Sequence, residues 1–115
     1  MTITRKLSNE KVSRIVIHND TVYLCGQVAL DVTEDIIGQS QSVLTRIDEH
    51  LAEAGTDKSK LLSALIHIKN TSDIAAFNQL WNAWLPEGCA PARSCVQAHM
   101  AREAVLVEVT VIAAL

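Results

Sequence analysis

Two residues in the last third of the chain have types and spacing suited to chemistry: Arg93, in the segment Arg93–His99, and Glu108, in the segment Val105–Ala113. Both segments alternate apolar and polar residues, as half-buried strands do. The stretch Met100–Glu103 between them predicts a hairpin turn. In that register Cys95 lies opposite Glu108, Gln97 opposite Leu106 and His99 opposite Ala104. Directly paired residues share a face. One face then collects Ser94, Val96, Ala98, Val105, Val107, Val109 and Val111 as core. The other collects Arg93, Cys95, Gln97, His99, Glu108 and Thr110. An arginine fork matches a substrate carboxylate bidentately. A glutamate against an apolar wall can act as general base or acid. The commoner use of such a pair is a plain interface ion pair, and spacing alone leaves both readings open.

The other reactive side chains form weaker patterns. Cys95 beside Arg93 is either a nucleophile or, as is usual for such a residue, a small hydrophobe lining a site. Cys25, Cys89 and Cys95 show no CxxC spacing, so reduced thiols and no structural zinc are expected. His18, His50, His67 and His99 lack ligand-like spacing. His67 on a strand and His50 on an exposed helix face read as structural or solvated, and no metal is expected. Trp81 and Trp84 read as core or interface anchors. Gly26 belongs to no phosphate loop, since GxGxxG and GxxxxGK are absent.

The elements that must position these groups can be read in order. Ile3–Leu7 is a short edge strand. Arg14–His18 and Thr21–Cys25 are β-branched runs joined by Asn19-Asp20, a hairpin signal. Gly26 interrupts the pattern and suggests a bulge or a close backbone approach. Thr33 is the expected N-cap of a helix with Glu34 and Asp35 in its first turn. Its apolar stripe is Ile36, Ile37, Val43, Leu44, Ile47 and Leu51, and Gly55 ends it. Leu61–Lys69 is a strand whose apolar face is Leu62, Ala64, Ile66 and Ile68. Ser72 or Asp73 starts a second helix carrying Ile74, Phe77, Leu80, Trp81 and Trp84, stopped by Pro86 and Gly88. Strands, crossover helices and hairpins in this order argue an α+β fold, with both helices on one face of a single sheet. The bare second face would be too apolar for a monomer, so an oligomer is expected.

The 115 residues fit one domain, 1–115, with room for an aliphatic core, since only 3% are aromatic. The net charge of −3 and the lack of any Lys/Arg cluster give a nucleic-acid partner no electrostatic support. No apolar stretch approaches the roughly 20 residues of a membrane helix. Met1–Asn9 has no apolar h-region. The expectation is a cytoplasmic protein with neither nucleic-acid nor membrane partners.

Several segments carry a family likeness: Ala90–Val96 (APARSCV) followed by Val107–Ala113 (VEVTVIA), Val22–Val28 (VYLCGQV), Leu51–Gly55 (LAEAG), and Asp73–Leu85 with Asn78. The chain resembles the Rid family, the reactive intermediate deaminases, also called the YjgF family. The likeness spans nearly the whole chain, and the PARSCV run with its downstream glutamate is its specific part. The resemblance implies a chorismate-mutase-like fold and a homotrimer, with three sheets forming an inner barrel and sites in the clefts between subunits. It implies hydrolysis of 2-imino or 2-enamino acids to 2-oxo acids and ammonia, without metal or cofactor. Arg93 would bind the substrate carboxylate and Glu108 would position or activate water. Gly26, Cys25 and Cys95 would line the pocket, with Asn78 near the cleft. Two departures stand out. Cys25 replaces a common serine, and Glu10–Arg14 (EKVSR) replaces a Gly-Pro-Tyr segment of the founding group. The chain therefore looks like a divergent branch that keeps the arginine. A trimeric binder of 2-oxo acids without turnover, or a stress-related protein, is the alternative.

Overall fold

In the computed structural model, which describes residues 2–115, the Asn19-Asp20 turn joins strands β2 (Ser13–His18) and β3 (Thr21–Leu24). Asn19 takes φ 56°, a left-handed conformation that asparagine tolerates better than most residues. Strand β1 (Ile3–Ser8) pairs antiparallel with β2, from Ile3↔His18 to Ser8↔Ser13. Helix α1 (Ile36–Ala54) follows, then strand β4 (Leu61–Ile68), helix α2 (Ile74–Trp84), strand β5 (Ala92–Gln97) and strand β6 (Val107–Ala114). The six strands form one mixed sheet in the order β1-β2-β3-β6-β4-β5.

The last two strands are not a hairpin. β5 runs parallel to β4 (Ala64↔Arg93, Ile66↔Cys95), and β6 lies antiparallel on the other side of β4 (Ala64↔Val111, His67↔Glu108). β4 therefore separates β5 from β6, and Cys95 does not face Glu108. The physical reason is burial. Val107, Val109, Val111 and Ala113 are each fully buried, and a strand so apolar is most stable at the centre of the sheet, paired on both edges. The connection from Ala98 to Leu106 is long enough to cross over, and the β4–α2–β5 unit closes as a parallel crossover.

Both helices cover one face. Val43, Leu44, Ile47 and Leu51 of α1 and Phe77 and Trp81 of α2 pack on Ile15, Val22, Ala64, Ile66, Val109 and Val111. Gly55 at the end of α1 has φ 89°, and its N–H closes on the Ala52 and Leu51 carbonyls. Four details differ from the sequence reading. The N-cap of α1 is Asp35, whose Oδ1 accepts from the Gly38 N–H at 2.9 Å. Thr33 instead donates its N–H and hydroxyl to Asp31, closing an Asx turn one step earlier. Leu62 is half exposed, because a bulge between Leu61 and Ser63 puts Leu61 on the buried face. Ile37 is exposed, and His50 is buried, its Nδ1 2.7 Å from the Arg46 carbonyl oxygen.

The connection between β5 and β6 is held by a residue the periodicity gives no reason to notice. Gln39, fully buried, donates through Nε2 to the carbonyls of Val32, Glu34 and Ala104. Its Oε1 accepts the Leu106 N–H at 2.9 Å. One amide thus ties the loop before α1 to the loop that delivers β6. Gln39→Leu keeps the volume but removes the partner of the Val32, Glu34 and Ala104 carbonyls and the Leu106 N–H, at a cost of about 1–3 kcal/mol for each of these groups that water does not reach. Its urea midpoint is expected well below that of the wild type; an unchanged midpoint would show that water replaces the amide without loss.

Candidate functional site

Arg93 sits on β5, in one row with Ala64 and Val111, so its side chain leaves the sheet on the helix side. There α2 receives it. Nη2 donates to Asn78 Oδ1 at 2.7 Å, and the guanidinium carbon lies 5.5 Å from the Trp81 ring and 5.9 Å from the Phe77 ring. The aromatic faces attract the cation and the amide fixes its rotation. Asn78 follows Phe77 directly, and Trp81 lies one turn beyond both, so one stretch of helix supplies the whole brace. A guanidinium has five donors, so the fork keeps N–H groups beyond the one given to Asn78. Cys95, two residues along β5, shares this face and packs partly against the core.

Glu108 projects to the opposite face. It lies opposite His67, which lies opposite Val96. Beside it the chain bulges. From Tyr23↔Ile112 to Gln27↔Val109 the earlier segment advances four residues while β6 goes back three, which leaves one extra residue around Cys25-Gly26. The bulge carries the Gly26 backbone close to the glutamate, since a methyl group at Gly26 would lie 2.8 Å from the Glu108 carboxyl carbon and from Oε2. The interruption read at Gly26 is thus both a bulge and a close approach. Buried Gln27 anchors it, with backbone hydrogen bonds to Val109 in both directions and Nε2 donating to the Cys25 carbonyl. His67 Nδ1 lies 3.8 Å from Glu108 Oε1. Farther out, Lys69 Nζ donates to Glu103, whose carboxyl it holds below the usual range by hydrogen bonding and charge.

Gly26→Ala is expected to push the Glu108 carboxylate aside while leaving the fold intact, because the clash is with the end of a flexible side chain. A crystal structure of the variant checks the displacement, and a carboxylate that stays in place would show that the backbone gives way instead.

The structure therefore brings the predicted site residues together in two groups, not one. Arg93, Asn78 and Cys95 stand on the helix side; Glu108 and Gly26 stand on the open side, with Cys25 in the bulge beside them. The shared face expected for Arg93 and Glu108 fails for the same reason as the hairpin. Inserting β4 changes the register between β5 and β6, and a change of one residue reverses the face. The sequence reading missed His67 as a neighbour of Glu108 and missed the Phe77–Trp81 brace. Their i, i+4 spacing marks a helix face, but nothing local says what lies across from it.

The open face carries half-exposed Tyr23 in a row with Val16 and Ile112, Leu65 in a row with Thr110, and Val96 in the row of His67 and Glu108. Beside Leu65 a depression of about 420 Å³ is lined by residues 63–65 of β4, residues 92–94 of β5, Arg93 among them, and Thr110 and Ile112 of β6. Among the described residues no three His, Cys, Asp or Glu side chains converge as metal ligands, and no helix is long and apolar enough to cross a membrane. The three cysteines are unpaired thiols.

A six-stranded sheet with two helices on one face, its last strand inserted at the centre, is the chorismate-mutase-like α+β architecture. Residues 3–115 match the model of the family described as Endoribonuclease L-PSP, and the chain belongs to that family, the YjgF or Rid/RutC group. It is 38% identical over 114 residues to the RutC family protein YoaB of Escherichia coli, covering 99% of each chain. The crystal structure of a YjgF-family member from Neisseria meningitidis superposes with a TM-score of 0.96 at 36% identity, covering 99% of this chain and 95% of that one. The 3-aminoacrylate deaminase RutC of Acinetobacter baylyi is 29% identical over 101 residues, covering 83% of this chain and 79% of that protein.

Proposed function

We propose that the protein hydrolyses reactive 2-imino acids and their enamine tautomers to 2-oxo acids and ammonia, in clefts between the subunits of a homotrimer. The observation that carries this reading is the braced Arg93. Asn78, Phe77 and Trp81 fix a guanidinium on the edge strand of the sheet, ready to take a carboxylate. The deaminase relative supports the reaction class. Glu108 lies on the opposite face of the same sheet, so a site that uses both groups draws them from neighbouring copies. The half-apolar open face gives those copies a surface to bury.

In this reading Arg93 holds the substrate carboxylate and Glu108 of a neighbouring copy holds water over C2 of the iminium. Water oxygen bonds to C2, its proton passes to Glu108, and the C=N π pair moves to nitrogen. Glu108 then returns the proton to that nitrogen. As the C–N bond breaks, the hydroxyl proton goes to Glu108, and the released ammonia takes it up as ammonium. A protonated imine is already electrophilic, so orientation supplies most of what the reaction needs, and no covalent nucleophile, metal or cofactor enters. Cys25, Gly26 and Cys95 line the cleft. We place the protein in the cytoplasm, where free thiols persist.

The test generates an imino acid with an amino-acid oxidase and follows its decay with and without the protein, alongside the oligomer mass by light scattering. Accelerated decay by a trimer is expected. A clean monomer, or unchanged decay for every imine tried, overturns the reading; binding of 2-oxo acids without turnover would leave a metabolite-binding protein.

A further inference from the structure

Glu108 is confined on two sides by different groups. Oε2 is directed to the bulge, 2.8 Å from where a methyl group at Gly26 would stand, and Oε1 is directed to His67, 3.8 Å from its Nδ1. That nitrogen is buried and has no hydrogen-bond partner, although the His67 side chain as a whole is 30% exposed. A buried imidazole nitrogen without a partner is costly, and the carboxylate oxygen is a small side-chain rotation away from hydrogen-bond range. Other neighbours do not compete for it. Val96 across the strand is apolar, Thr110 is uncharged, Cys25 is turned to the Gln27 amide, and the Lys69 ammonium is taken by Glu103.

We propose that His67 is the positioning residue of Glu108: its Nδ1–H donates to Oε1, which fixes the carboxylate and leaves Oε2 to hold water. The proposal rests on Glu108 being the group that handles water. The sequence pattern left His67 as a structural histidine on a strand; the pairing His67↔Glu108 across β4 and β6 gives it this partner. The tautomer of a neutral imidazole is set by the bond its other nitrogen makes, so the role has a spectroscopic signature separate from turnover.

The experiment has two arms. In ¹⁵N spectra of the neutral imidazole, His67 is expected mainly as the Nδ1–H tautomer in the wild type, moving toward Nε2–H in Glu108→Ala. In imine hydrolysis, His67→Phe keeps the ring volume and is expected to lower kcat about tenfold with KM little changed. His67→Gln, which keeps an N–H donor, is expected to recover most of that loss. An Nε2–H tautomer in the wild type, or a Phe variant with wild-type kcat, overturns the proposal while leaving the role of Glu108 standing. If no imine is hydrolysed by the wild type, the functional reading falls, and the spectra still decide whether His67 holds Glu108.

Discussion

Arg93→Ala is expected to abolish measurable imine hydrolysis while the oligomer stays assembled. The guanidinium is the one anchor we assign to the substrate carboxylate, and truncating one partner of a desolvated, hydrogen-bonded charge pair costs roughly 2–5 kcal/mol. At 1.4 kcal/mol per factor of ten, kcat/KM falls by about 30- to 4,000-fold. Arg93→Lys separates charge from shape. Lysine keeps the cation but lacks the fork that meets Asn78 and a carboxylate together, so it is expected to recover only a small part of the loss. The check is kcat/KM for both variants, with light scattering on each. Wild-type kinetics in Arg93→Ala would remove the anchor and the mechanism with it. A variant that falls to monomer would instead show that Arg93 serves the interface.

Glu108→Gln is expected to have an effect of similar size by a different route. The amide fills the same space beside Gly26 and faces the same His67, yet it cannot take a proton from water. General acid–base groups contribute about 10²–10⁴-fold, so kcat is expected to fall by that order. KM is expected to stay near the wild-type value, because Arg93 still holds the substrate. This split is the signature that separates the two residues: Arg93 variants lose binding and turnover together, Glu108 variants lose turnover alone. A Gln variant with undiminished kcat would mean that the water is activated elsewhere.

Much of the framework was legible along the chain because it rests on local rules. Asn19-Asp20 does form a turn between β2 and β3, Gly55 does end α1 with positive φ, and Gly26 does mark a bulge. Each is decided within a few residues by backbone sterics or hydrogen bonding. The Asp35 cap was missed for an equally local reason, since Thr33 and Asp35 are both competent caps and Asp31 claims Thr33 first.

The sequence by itself determined the α+β class, the helices and strands, the aliphatic core and the residues able to bind and to move protons, all of which follow from side-chain period and chemistry. Only the tertiary structure decided which strand lies beside which. The pull of four buried residues toward the centre of the sheet places β6 beyond β4, and that single choice sends Arg93 to one face and Glu108 to the other. It also gives Glu108 its histidine, and it makes one long helix residue, Gln39, the clamp of two distant loops. Alternation fixes a side chain relative to its own strand, but the energy that selects its neighbour is long-range burial, which no short window of sequence contains.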